Sequence, residues 1–386
     1  MQNLLSDMGD YLKSRLLGVD DEVYHIQLAI AAGQHLSFIG PPGTGKTTLM
    51  GYAARCVSGT VFDKTFNATT VPDEVFGPLD VTALSGQNGP SEYKRLVTGF
   101  APEANFLVLD EAGKAGSETL NGFLPMLDDR QEFQNGRTKI AVPLVLAIAT
   151  SNEPLPDDCR ALKDRFAMRL RCDYMSVSNE EALLTFSPAP MAVPSITIDQ
   201  IRDIQKQVAA MTFDASCADA WGKVLRGLRA AGIPTSPRRL VQAKRVWQAA
   251  AWLAGATEVT ATHIEALGCV LWTDLNHADA AIRICTMAAS EHAERALEIL
   301  DGAEAVLEEA QPNISAIMDG SIAPEDIGTV SSAQTSVTMF GQEIKALGTD
   351  PVITRCTSRI RDIWMELETA RKHAVQRATQ GFAGGF

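Results

Sequence analysis

Eight residues near the start of the chain have the types and order needed to hold a phosphate chain. Gly40-Pro41-Pro42-Gly43-Thr44-Gly45-Lys46-Thr47 satisfies the pattern G-x-x-x-x-G-K-[ST]. Its glycines let backbone N–H groups converge on an oxyanion with no Cβ in the way, and the helix expected to follow adds its positive end. Lys46 would then reach the β- and γ-phosphates, and the Thr47 hydroxyl would serve Mg²⁺. The run Gly40 to Thr48 is the expected binding set, and the ligands it predicts are ATP and Mg²⁺.

A second stretch, Phe106-Leu107-Val108-Leu109-Asp110-Glu111, sets two carboxylates at the end of an apolar run. Asp110 is expected in the Mg²⁺ shell, and Glu111 is expected to orient and deprotonate the attacking water. Ala149-Thr150-Ser151-Asn152 ends the next apolar run, where the Asn152 amide would help position that water. Leu162-Lys163-Asp164-Arg165-Phe166 offers an exposed arginine. In a ring of subunits Arg165 would reach a neighbour's γ-phosphate, where a guanidinium raises the rate by roughly 10³ or more. A surface ion pair with Asp164 or nearby acids is the plain alternative, and Arg169 and Arg171 are further candidates. Ser236-Pro237-Arg238-Arg239-Leu240 opens a helix with proline in its first turn. Arg238 is expected to touch the nucleotide from the lid side, with Arg239 as the fallback.

These groups need a scaffold that brings strand ends together. Residues 1–34 read as helical, His35 to Ile39 as a buried strand, and Thr47 to Val57 as a helix. Strand, glycine loop and helix form the context that a phosphate-binding loop requires. Phe106 to Leu109 and Leu144 to Ala149 read as further buried strands. Apolar strands alternating with helices predict an α/β fold with a parallel sheet covered on both faces. Two hairpins are expected, one pairing Asp80 to Leu84 with Glu92 to Val97, the other at Phe133 to Val142 around Asn135-Gly136. Three domains follow: an α/β core over 1–190, a helical lid over 195–275 after the Pro-containing Met191 to Pro194 linker, and a helical region over 277–386. In the last, heptad-like seams predict three helices: Ile282 to Ala310, Val337 to Leu347 and Ile353 to Ala374. Breaks are expected at Pro312 to Gly328 and at Gly348 to Pro351, and the three would fold into an antiparallel bundle.

Composition narrows the function. The 386 residues carry a formal charge of −13, which argues against a surface that grips nucleic acid nonspecifically but leaves room for a basic pore lining. No uninterrupted apolar stretch of about 18 residues predicts a membrane span, and the start has no secretory signal pattern. The seven dispersed cysteines show no metal spacing and suit a reducing cytoplasm.

Together the motifs resemble the MoxR branch of AAA+ ATPases, and within it the RavA-like subgroup. The resemblance rests on Val75-Phe76-Gly77-Pro78-Leu79, on Tyr93 to Ala104 (YKRLVTGFAPEA), on Leu120-Asn121 ahead of Leu124, and on Ser151-Asn152-Glu153. It implies a P-loop core with an insertion facing a ring pore, a hexamer with ATP at subunit interfaces, and a chaperone-like role beside a von Willebrand factor A (VWA) partner. The C-terminal region resembles that of RavA only loosely, with no β-rich insertion, and no D-x-S-x-S motif occurs, so a VWA partner would be a separate protein. Protein remodelling is the leading expectation. A nucleic-acid motor using Lys94, Arg95, Arg137 and Lys139, and a nucleotide-dependent assembly scaffold, are the alternatives.

Overall fold

The apolar runs become strands because their side chains are buried on both faces of a sheet. A computed structural model describes residues 2–86, 90–128, 131–153, 155, 159–320 and 324–383. In chain order, α1 (Gln2–Lys13) and α2 (Asp20–Ala32) lead into β1 (Leu36–Ile39), α3 (Lys46–Arg55), β2 (Val57–Ser58) and β3 (Val61–Thr65). Two short helices follow, α4 (Pro72–Phe76) and α5 (Val81–Ser85), then β4 (Phe106–Asp110) and α6 (Ser117–Asn121). The hairpin β5 (Glu132–Asn135) and β6 (Thr138–Ala141) precedes β7 (Leu146–Ser151), α7 (Arg160–Arg165) and β8 (Met168–Arg171).

The main sheet has the order β3-β4-β7-β1-β8, all parallel. Register brings the functional strand ends to one edge: Thr65 lies opposite Asp110, and Ile39 opposite both Ser151 and Arg171. Ligands of open α/β sheets bind at that carboxyl edge. Helices cover both faces of the sheet, as the sequence predicts. On one of them an aromatic cluster builds the core: Phe76 stacks on Phe133 and tilts against Phe123, whose other neighbour is Phe66. Each such buried ring contributes roughly 1.5–3 kcal/mol.

Contact density divides the chain into two compact units, 1–175 with 185–282, and 176–184 with 283–386. In the first, α8 (Val177–Leu183) having intervened in sequence, β9 (Ile196–Thr197) pairs with β2. The lid helices then follow: α9 (Ile198–Ala209), α10 (Ser216–Ala230), α11 (Pro237–Leu253) and 3₁₀ turns over Ala261–Cys269. Ser236 caps α11 by accepting the Arg239 N–H at 3.2 Å.

The second unit is a helical bundle of α13 (Ala293–Asp319), α14 (Pro324–Ala346) and α15 (Pro351–Ala383), with α8 packed on α15. Two expectations need correction here. The first predicted helix is broken, with α12 (Ala278–Ala289) ending before α13 begins. The Ser290 hydroxyl donates to Asp350 at 2.6 Å and accepts the His292 N–H at 3.1 Å, so side-chain bonds replace helical ones at the break. Pro312 does not end a helix; α13 passes through it to Asp319, where Gly320 at φ 91° closes the turn. Packing against α14 and α15 outweighs the one backbone bond that the proline forfeits.

The hairpin predicted over Asp80 to Val97 is also corrected. The two arms do run antiparallel, with the Leu96 N–H on the Pro78 carbonyl at 2.9 Å and the Asp80 N–H on Lys94 at 2.8 Å. Asp80 then caps the helix α5 rather than continuing a strand, accepting the Thr82 and Ala83 N–H groups. The predicted turn residues 87–89 lie outside the described set. The second hairpin forms as expected, with Asn135 opposite Thr138 and Gly136 at φ 63°.

Candidate functional site

The loop between β1 and α3 turns sharply because Gly43 and Gly45 take φ 84° and 82°, a left-handed backbone that other residues rarely adopt. At Gly40 the reason is space: a Cβ there would lie 2.0 Å from the Cys172 carbonyl oxygen. Lys46 opens α3 and is buried. Its ammonium donates to the Gly40 carbonyl at 2.8 Å, the Pro41 carbonyl at 2.6 Å and the Thr44 hydroxyl at 3.1 Å. The charge therefore sits in the bowl of the loop, where a phosphate oxygen could take over those donors. Pro42, Thr47 and Thr48 are exposed at the loop and helix start.

The carboxylate that closes the other side is held by hydroxyls. Asp110, 5% exposed, accepts from Thr47 at 2.8 Å and Thr150 at 2.6 Å through Oδ1, and from Thr65 at 3.3 Å through Oδ2. Among the described residues no Lys or Arg forms an ion pair with it. A buried carboxylate whose neighbours are hydroxyls is poorly compensated. This donor set of hard oxygens fits Mg²⁺, with Thr47 and Asp110 as the residues to hold it. Burial, and next the charge of Asp110, push the Asp63 carboxyl above its usual range.

Glu111 follows in a strained, left-handed conformation at φ 54°. Its N–H donates to the Thr150 hydroxyl at 3.1 Å, and its Oε1 accepts from the Asn152 amide at 2.8 Å. Oε2 accepts no hydrogen bond among the described residues, and Lys114 Nζ faces it at 3.4 Å. One oxygen is thus fixed and the other keeps its lone pairs for a proton. Thr150, only 1% exposed, ties the two carboxylate residues together. Thr65 and Thr150 were not singled out from the sequence, although their places at strand ends opposite and beside Asp110 mark them.

The arginines are arranged differently from expectation. Arg165, at the end of α7, is less exposed than expected: its side chain is 18% exposed and donates to the Ala161 carbonyl at 3.1 Å. It also pairs with an acid, Asp128, Nη2 to Oδ2 at 3.4 Å. Arg238, 41% exposed, donates to Oδ1 of the same Asp128 at 3.1 Å. Arg239 points into the lid joint, 1% exposed, with donors on the Val270 and Trp272 carbonyls and on Asp164 at 2.5 Å. Burial lowers its pKa against the pull of Asp164. Arg169 is likewise buried, bonded to the Trp272 carbonyl at 2.7 Å and to Lys163, while Arg171 pairs with Asp279 at 3.0 Å.

Comparison with known proteins adds the family. A profile described as the MoxR domain of MoxR–VWA–β-propeller ternary systems matches residues 3–207, just over half of the chain. Two uncharacterised proteins of Methanocaldococcus jannaschii are 27% identical over 70% of this chain and 72% of their own, and 26% identical over 78% of each. The chaperone MoxR1 of Mycobacterium tuberculosis is 28% identical over 45% of each chain. A crystal structure of an inferred ATPase from Cytophaga hutchinsonii shares the fold, with TM-score 0.57 and 18% identity, over 74% of this chain and 93% of that one. With its loop, paired carboxylates and parallel sheet, the chain belongs to the MoxR family of AAA+ ATPases.

Proposed function

We propose that this chain is an Mg²⁺-dependent ATPase of the cytoplasm, working as a ring of identical subunits that remodels protein complexes beside a separate VWA-domain partner. A hexamer is the ring size its family suggests. Residues 1–190 would form the ATPase core, 195–275 the lid and 277–386 a helical arm. The partner is supported by the ternary systems for which the matching family is described. The finer likeness to the RavA subgroup rests on the motifs at 75–79, 93–104, 120–124 and 151–153 alone.

One observation carries the catalytic reading: the Thr47 hydroxyl lies 2.8 Å from a buried Asp110 carboxylate that has no cationic partner among the described residues. Beside it, Glu111 is oriented by Asn152. Bound Mg²⁺ would neutralise charge on the β- and γ-phosphate oxygens. Lys46 would exchange its loop carbonyls for phosphate oxygens. Glu111 would take the proton of the attacking water on Oε2, Asn152 keeping Oε1 in place. Arg165 and Arg238 share Asp128, so whichever phosphate one of them meets lies near the other; we assign both to the neighbour's γ-phosphate.

Protein rather than nucleic acid is the favoured client. Three of the basic residues available to a nucleic-acid motor are ion-paired: Lys94 with Glu92, Arg95 with Asp73 and Lys139 with Glu132. The same insertion exposes Val81, Tyr93 and Leu96, apolar groups suited to polypeptide. The test is Mg²⁺-dependent phosphate release by purified protein, which should rise in specific activity with protein concentration and vanish in Lys46→Ala. Turnover unaffected by Lys46→Ala would overturn the reading.

A further inference from the structure

A single carboxylate joins the core arginine to the lid arginine. Asp128 follows the aromatic cluster of the core, Arg165 ends α7, and Arg238 sits in the first turn of α11, so the three come from separate parts of the first compact unit. Among the described residues, Oδ2 faces Arg165 Nη2 and Oδ1 faces Arg238 Nη2. Two permanently charged guanidiniums brought to one carboxylate repel each other, and the anion between them is what allows their closeness. Arg165 has a second constraint in the Ala161 carbonyl, whereas Arg238 is tied on this side by Asp128.

We propose that Asp128 is a positioning residue that yokes Arg165 to Arg238, so that core and lid present their guanidiniums as a pair to one phosphate group. The inference rests on the reading that these arginines serve the nucleotide held by an adjacent subunit. A γ-phosphate there offers three oxygens and more negative charge than Asp128, and the guanidinium donors that Asp128 leaves open can reach it. Because one of the pair rides on the lid, the yoke transmits the state of the neighbour's phosphate to the lid angle of this subunit. Without the carboxylate the two cations would separate, and each would meet the phosphate alone.

The test is a set of mutant cycles on the full chain, reading steady-state ATP turnover and, separately, binding of a fluorescent ATP analogue with Mg²⁺. Asp128→Asn keeps the size but turns one acceptor into a donor that repels a guanidinium. It should lower kcat about tenfold, the size of coupling expected between contacting charged groups. Analogue binding should stay within about twofold of the parent, since Asp128 belongs to no phosphate-binding loop. In an Arg165→Ala, Arg238→Ala background the same substitution should have no further effect, and Asp128→Glu should recover part of the loss. Equal losses in both backgrounds, or a loss of analogue binding that accounts for the fall, would overturn the yoke. If Arg165→Ala and Arg238→Ala each left turnover unchanged, the assignment of these arginines to a phosphate would fall, and the yoke with it.

Discussion

At the scale of single residues, the site is a chain of hydroxyl and amide bonds around two acids. Glu111→Gln keeps the size and the Asn152 contact but loses the base, so it should bind ATP while phosphate release falls by 10² or more; normal release would remove Glu111 from that role. Thr150→Val deletes the hydroxyl that donates to Asp110 and accepts from Glu111 N–H. It should cost about 1–3 kcal/mol in urea unfolding and raise the Mg²⁺ concentration needed for analogue binding, with Thr150→Ser restoring both. His35 gives a pH prediction. Burial lowers its pKa from 6.5 to about 4, and its Nδ1 accepts the Ala147 N–H at 3.1 Å. The folded state thus resists a proton that the unfolded chain takes up below 6.5. Stability should fall by roughly 1.4 kcal/mol for each pH unit between 6.5 and 4. His35→Gln should flatten the slope in that window. Lys46, Thr47, Asp110 and Glu111 were legible in the sequence because adjacent residues set their spacing. Asp128 was not, since nothing local shows that residues 37 and 110 positions downstream will meet it.

Elements decide which of two adjacent arginines is free to act. Arg238 and Arg239 share a helix turn, yet the helix rotates Arg239 into the joint between core and lid. Arg239→Ala should destabilise the protein by about 1–3 kcal/mol, because it strands the Val270 carbonyl, leaves the Trp272 carbonyl to Arg169 alone and empties a buried side chain's place. Arg238→Ala removes a half-exposed pair and should cost at most about 1 kcal/mol. Thermal unfolding of the two variants separates them, and comparable losses would contradict the placement. The central strands β1, β4 and β7 were readable from apolar runs, since burial on both faces leaves little room for polar residues, whereas the edge strands β3 and β8, which carry Asp63, Lys64, Arg169 and Arg171, were not. At α5 the local sequence does not separate helix from hairpin, because Asp80 can cap a helix as readily as it can precede a turn. The break at Ser290 was hidden for a similar reason: its partner Asp350 lies 60 positions away.

For the whole molecule, the parallel sheet and its motif-bearing edge followed from the sequence, while the bounds of the two compact units did not. Residues 176–184 continue from the core yet pack with the C-terminal helices, a long-range choice that no local pattern records. On the function proposed, one subunit binds and attacks ATP while another supplies the arginines. Mixing two inactive variants tests it directly: Glu111→Gln, which lacks the base but keeps Arg165, with Arg165→Ala, which keeps the base. Phosphate release by the mixture should exceed the sum of the separate proteins by at least about tenfold, since mixed assemblies contain complete sites. A mixture no more active than its components would contradict the account.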